Sequence, residues 1–519
     1  MVDRPARDGA PVIDRRESLA ALGAALLLGS HAGAARPTSR GEPFSWDRLR
    51  ALGMRVARAP WRSPPHVAEA HGVDYDAVGQ IAYREDKTLW GDRGDAFGVR
   101  FFPVNKAAPA PVDIFVVEGG RARRFAFSPD LFTLTEDKAG KAPKLLPGFG
   151  GMRVMNPGGV GDWLAFQGAS YFRSAGALDQ YGLSARGLAV NTGIDGQEEF
   201  PIFTRFWLER GPGEAITIYA LMEGRSVAGV WRFVNRRTKA GVTQDVSCDL
   251  WLRHDVARLG FAPLTSMFWY GEGNRRQGID WRPEIHDSDG LALWTGAGER
   301  LWRPLTNPSA PITNSFADRG PRGFGLFQRD RHFDHYQDDG AFYDKRPNLW
   351  VEPQGDWGEG AVMLYEIPTI REYEDNIVAF WTPAKAARAG SHYALDYRLR
   401  WIAGDPAPSP LAEVVDCWTG TAGPAGTDPI PDATRLVTDF VGESLRGLTR
   451  TSGVEPVVSV GHGRLLSAVA YPVVGLPAHW RLIVDVALDH GGPADLRAYL
   501  KHDSGALSET LLYQLAKLP

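Results

Sequence analysis

Between residues 263 and 383 the chain sets carboxylates, guanidinium groups and aromatic rings side by side. The runs are Met267-Phe268-Trp269-Tyr270-Gly271-Glu272, Trp281-Arg282-Pro283-Glu284-Ile285-His286-Asp287-Ser288-Asp289 and Arg329-Asp330-Arg331-His332-Phe333-Asp334-His335-Tyr336-Gln337-Asp338-Asp339. Tyr343-Asp344-Lys345-Arg346-Pro347, Gly355-Asp356-Trp357-Gly358 and Glu372-Tyr373-Glu374-Asp375-Asn376 follow. Flat aromatic surfaces match the faces of sugar rings, while carboxylates and Arg bind their hydroxyls. This texture therefore suits an extended glycan groove. Trp269, Trp281 and Trp357 are each either a stacking platform or an ordinary buried core Trp.

Other chemistries fit less well. His286, Asp287 and Asp289, or His332, Asp334 and His335, could ligate a metal. These short strings lack the helical spacing of a zinc protease, so metal catalysis is the lesser reading. A structural calcium held by the Asp-rich turns suits them better. Gly148-Phe149-Gly150-Gly151 lacks the Lys-Ser/Thr ending of a phosphate loop, and no Gly-x-Ser-x-Gly elbow is present. Carboxylate chemistry on a glycan remains, with no cofactor and no catalytic metal expected.

Longer runs carry a resemblance. Leu264-Thr265-Ser266-Met267-Phe268, Asp280-Trp281-Arg282-Pro283-Glu284-Ile285-His286-Asp287-Ser288-Asp289-Gly290-Leu291 and Gly323-Phe324-Gly325-Leu326-Phe327-Gln328-Arg329-Asp330-Arg331 resemble the osmoregulated periplasmic glucan biosynthesis proteins OpgG and OpgD, also called MdoG and MdoD. Arg346-Pro347-Asn348-Leu349-Trp350-Val351-Glu352-Pro353, Gly355-Asp356-Trp357-Gly358 and Asp375-Asn376-Ile377-Val378-Ala379-Phe380-Trp381 match as well. The likeness is collinear from about residue 44 onward. Tyr336-Gln337-Asp338-Asp339-Gly340 is closer to the OpgD pattern. The resemblance implies a large carbohydrate-active β-sandwich followed by a small immunoglobulin-like one. It also implies inverting, internal cleavage of β-1,2-glucan. Transglycosylation, with or without ring closure, and non-catalytic glucan binding beside an inner-membrane synthase are the alternatives.

An inverting glycosidase needs a protonated carboxyl beside the leaving oxygen and a carboxylate that activates water on the opposite ring face. By resemblance Asp375 falls on the acid position. Asp287 falls on the base position, acting directly or through a hydroxyl and water relay. Glu372 is the neighbour that would help keep Asp375 protonated, and Tyr343 resembles a residue that orients the sugar or the relay. Arg282, Arg346 and Trp357 are further candidates for substrate contact. Asp338 and Asp339 belong either to the groove or to a loop salt bridge. The plain alternative for Asp287, Asp289 and Asp375-Asn376 is turn capping before a core strand. Two positions depart from the family pattern: Gly273 replaces an aromatic residue and Asn348 replaces a Ser. Neither removes a proposed acid or base, but both bear on subsite contacts and so on product length.

The elements around these residues must be mostly strands. Gly and Pro supply 59 and 37 of 519 residues, and period-two alternation runs through residues 97–102, 112–117, 203–208, 216–221, 230–233, 362–367 and 393–401. This texture predicts an all-β protein built on large antiparallel sheets. A short amphipathic helix is expected at 44–59. The expected order is an export signal at 1–35, a glucan-binding sandwich at 44–403, a Pro-rich linker at 404–410 and an immunoglobulin-like module at 411–519. Residues 507–518 could instead form a terminal helix.

Arg15 and Arg16 before an apolar run read as a twin-arginine-like signal, which places the protein in the periplasm. The net charge of −4 excludes a generally basic nucleic-acid binder. Only Cys248 and Cys417 are present, so there is no disulfide framework, and one bridge between them stays open.

Overall fold

The computed structural model describes residues 41–91, 97–137, 140–424, 426–489 and 492–517. The expected export signal lies outside them. Alternating apolar and polar residues send successive side chains to opposite faces of a strand, and the runs named above become strands for that reason. Ile202–Arg210, Ala215–Glu223, Val227–Thr238 and Gly241–Leu252 pair in sequence as an antiparallel meander. His392–Ile402 pairs next to it, followed by Asn348–Gln354 and Gly323–Phe327. The expected helix forms at Trp46–Arg58, capped by the Ser45 hydroxyl, with Leu49 buried against Trp207 and Val230.

Among the described residues one sheet carries 16 strands and a second carries 10. The second runs from Ile312–Arg319 through Glu359–Glu366, Ile377–Pro383 and Leu259–Ser266 to Val99–Pro103. Their inner faces share one core. Phe166 and Phe172 of the second sheet meet Phe206 and Phe233 of the first edge-on, with ring centroids 5.7 and 5.0 Å apart. Burying each ring stabilises the fold by roughly 1.5–3 kcal/mol. The protein is all-β, and two facing sheets make it a sandwich.

Residues beyond 410 divide between two sheets. Glu413–Thr421, Ala433–Val441, His479–Leu488 and Gly463–Pro472 form a separate four-stranded antiparallel sheet. Thr510–Leu515, Ala494–His502 and Val454–Gly461 extend the 16-stranded sheet, because Leu301 and Trp302 pair in parallel with Thr510 and Leu511. The terminal helix weighed for 507–518 is thus corrected to a strand: pairing and burial of Leu511, Tyr513 and Leu515 fix period two there. The 404–410 segment is tied to the sandwich by Arg300, whose guanidinium donates to the Ala407 carbonyl at 2.6 Å. Cys248 and Cys417 are free and buried in different cores, so the bridge left open by the sequence is not formed.

Candidate active site

Two short antiparallel segments, Phe268–Tyr270 and Ile285–His286, carry the base candidate into the protein. Asp287 follows them and is fully buried, with its N–H donating to the Met267 carbonyl at 2.8 Å. Its Oδ1 lies 3.4 Å from Nε of Arg346, itself buried. Gly182 makes room for the Arg346 stem: a Cβ there would come within 3.1 Å of two of its methylene carbons. Arg346 also donates to the Tyr181 carbonyl and lies over the Tyr343 ring, 5.1 Å from its centroid. Burial pulls the Arg346 guanidinium down, against the charges of Tyr343, Asp338 and Glu372.

A second arginine organises the carboxylates above this layer. Arg282 contacts Asp280 at 2.8 Å, Asp338 at 2.6 Å and Glu372 at 2.7 Å. Burial opposes its charge, but the three carboxylates outweigh that and raise it further. The Tyr343 hydroxyl donates to Glu372 at 3.3 Å, closing a chain from Asp280 to Asp287 through Arg282, Glu372, Tyr343 and Arg346. Asp338 accepts the N–H groups of Gly340 at 2.8 Å and Ala341 at 2.5 Å. Burial would raise its carboxyl, yet those bonds and Arg282 hold it below the usual range. Gln337 and Phe342 both adopt positive φ, 54° and 51°, and this bends the loop that presents Asp338 and Tyr343.

Asp375 is half-buried at the entry to the strand Ile377–Pro383. Its charge adds to the rise of the Tyr171 phenol, which burial drives and Arg186 opposes. The next residue, Asn376, accepts the Phe268 N–H at 2.8 Å and donates to the Phe268 and Ile367 carbonyls, each at 2.9 Å. Consecutive residues Met267 and Phe268 therefore hold Asp287 and Asn376, the residue after Asp375.

The structure brings Asp287, Arg282, Arg346, Asp338, Glu372 and Tyr343 into one bonded network. Trp269 packs beneath it with Tyr336 and Tyr343. Asp339 is exposed beside it. Trp357 is elsewhere: it is buried in the sandwich core against Phe261, Trp381 and Tyr397. Among the three weighed indoles only Trp281 opens to solvent, at 73% exposure.

Sequence reading passed over Asp280, Gln328 and the side chain of Asn376. Gln328 is fully buried, accepts from His286 Nδ1 through its amide oxygen, and donates to the His286 and Tyr343 carbonyls, all at 3.0 Å. It lies inside the Gly323-Phe324-Gly325-Leu326-Phe327-Gln328 run, but no spacing rule marks a residue whose partners are 42 and 15 positions away.

A model of the family described as "Periplasmic glucan biosynthesis protein, MdoG" matches residues 44–515. The chain belongs to this family. It is 42% identical over 516 residues to glucans biosynthesis protein D 2 of Ralstonia nicotianae, covering 96% of each chain. It is 45% identical over 514 residues to glucans biosynthesis protein D 1 of that species, covering 94% of this chain and 95% of the relative. With glucans biosynthesis protein D of Stenotrophomonas maltophilia it shares 43% over 487 residues, covering 92% of this chain and 91% of the relative. Among its described residues no helix is long and apolar enough to cross a membrane.

Proposed function

We propose that this family member is an enzyme of periplasmic glucan metabolism that cleaves β-1,2-glucan internally with inversion. The observation that carries the reading is that Asp287 and Asn376, the residue after Asp375, are held by adjacent residues, Met267 and Phe268, beside the Arg282 and Arg346 network. Inversion asks for two carboxyl groups roughly 6.5–9.5 Å apart, with room between them for a sugar and a water. Asp375, half-buried and beside Tyr171, is the proton donor to the glycosidic oxygen. Asp287 is the acceptor that takes a proton from the attacking water. Its Oδ1 lies 3.4 Å from Nε of the buried Arg346.

Asp338, Glu372 and Arg282 offer acceptors and donors for sugar hydroxyls, and Trp281 offers an open ring face. Tyr343 fixes Glu372 and Arg346 relative to each other. The partner is a β-1,2-glucan polysaccharide or oligosaccharide, and the compartment is the periplasm. Collaboration with an inner-membrane glucan synthase fits the family description. The test is incubation of the purified protein with linear β-1,2-glucan. New reducing ends support the reading. Binding without any change in chain length, under conditions where a working glucanase acts, overturns it.

A further inference from the structure

The strand that ends in Asp287 has a second face. His286 points away from the Arg346 network and holds Glu284 at Nε2, 3.0 Å away, with Gln328 and Asp289 at Nδ1. Beyond Glu284 stand Asp330 and His335, the latter on the short helix Phe333–Tyr336. One carboxylate oxygen of Glu284, one of Asp330 and one ring nitrogen of His335 all lie within 4.8 Å of one another. Two separate stretches of chain supply them, and Glu284 is buried. Asp330 also lines a cleft between the sandwich and residues 413–421, together with Glu272, Asp289 and Asp416.

Charge in this seam does not balance. Glu272, Glu284, Asp289, Asp330 and Asp416 meet there with two imidazoles, His286 and His335. Two imidazolium ions offset at most two of five carboxylates. The adjacent arginines are committed elsewhere: Arg329 to Glu509 and the Val414 carbonyl, Arg331 to Asn348 and the carbonyls of Ala403, Asp344 and Arg346. Partly buried carboxylates in excess either take up protons, as the raised Glu272, Asp289 and Asp416 carboxyls favour, or gain a counter-charge, and space bounded by their oxygens suits a small cation.

We propose that Glu284, Asp330 and His335 bind one divalent transition-metal cation, Zn²⁺ by preference, at the seam behind the Asp287 strand. Two carboxylate oxygens and an imidazole nitrogen suit Zn²⁺ or Mn²⁺ better than Ca²⁺, which takes oxygen ligands. A tetrahedral ion with bonds of about 2.1 Å spaces its donors about 3.4 Å apart. The donors lie within 4.8 Å of one another, so no pair needs to close by more than about 1.4 Å. His335 Nδ1 now sits 2.5 Å from Asp330 and would exchange that bond for the ion. The role is structural. The ion would tie the Asp330–His335 loop to the strand that carries Asp287 and offset the charge of Asp416 across the seam. It stands apart from the glucan reaction.

The test is equilibrium dialysis of tag-free, chelator-treated protein against Zn²⁺, with bound metal counted by mass spectrometry. One Zn²⁺ per chain is expected, with binding at least about tenfold weaker in both His335→Ala and Glu284→Gln. Excess Ca²⁺ is expected to leave the Zn²⁺ in place. His335 is close to half exposed, so its variant keeps the fold, checked by circular dichroism. Saturating Zn²⁺ is also expected to raise the melting temperature of the parent and not of His335→Ala. No saturable binding, or binding equal in parent and His335→Ala, overturns the proposal.

Discussion

Asn376 satisfies both backbone hydrogen-bonding groups of Phe268, accepting from its N–H at 2.8 Å and donating to its carbonyl at 2.9 Å. Phe268 also pairs with His286, and the residue before it accepts the Asp287 N–H. One side chain thus sets the entry of the strand after Asp375 against the segment that ends in Asp287. Replacing Asn376 by Ala leaves a buried N–H and carbonyl unpaired, at roughly 1–3 kcal/mol for each group. Asn376→Ala is expected to melt several degrees lower and to lose more than tenfold in kcat on β-1,2-glucan. Unchanged turnover in a destabilised variant would limit Asn376 to a role in stability.

Removing either carboxylate should separate binding from chemistry. Asp375→Asn and Asp287→Asn are each expected to lower kcat by roughly 10²–10⁴, the usual worth of a positioned acid or base. Glucan binding by calorimetry is expected to persist in Asp375→Asn. Retained turnover in that variant would remove the acid assignment.

How much of this was legible beforehand depended on the range of the interaction. Alternation at residues 203–208 and 216–221 is local, and those strands stand where the spacing put them. The clustering of Arg282, Glu372, Tyr343 and Arg346 was carried by the long motifs rather than by any spacing of their own. Other features stayed open or were passed over. Trp357 sits in a polar-looking Gly-Asp-Trp-Gly run, yet packing on Phe261 and Trp381 takes its ring into the core. The strand Thr510–Leu515 is fixed by partners near residue 301, so its own spacing left a helix open. Asn376 looked like a turn residue because its two backbone partners lie 108 positions away.

Acid should probe the Arg282 clamp. Asp338 is held below the ordinary carboxyl range, since its two N–H donors and Arg282 overcome the effect of burial. A depressed folded-state value means that its stabilisation is fully present above the unfolded value of about 3.9. It is lost as pH falls through the lower folded value. Melting temperature is therefore expected to fall more steeply below about pH 4 in the parent than in Asp338→Asn. Parallel curves for the two proteins would contradict the clamp.

The shared sheet makes a prediction about separability. A chain ending at residue 403 loses the partner of Leu301 and Trp302, leaving the strand Arg300–Pro304 as an open edge. Such a fragment is expected to aggregate or to elute as oligomers in size-exclusion chromatography. Within the full chain, Leu511→Ala removes a fully buried side chain at this junction and should cost roughly 2–5 kcal/mol. A monomeric, cooperatively melting fragment would show that the sandwich stands without the added strands.

The central claim is inverting cleavage by Asp375 and Asp287, and the anomeric configuration of the first product tests it most directly. Proton NMR, recorded during the first minutes of reaction with linear β-1,2-glucan, separates α from β reducing ends before they equilibrate. The account predicts that α ends appear first and that β ends grow in later by mutarotation. First-formed β ends, or the absence of new reducing ends, would contradict it.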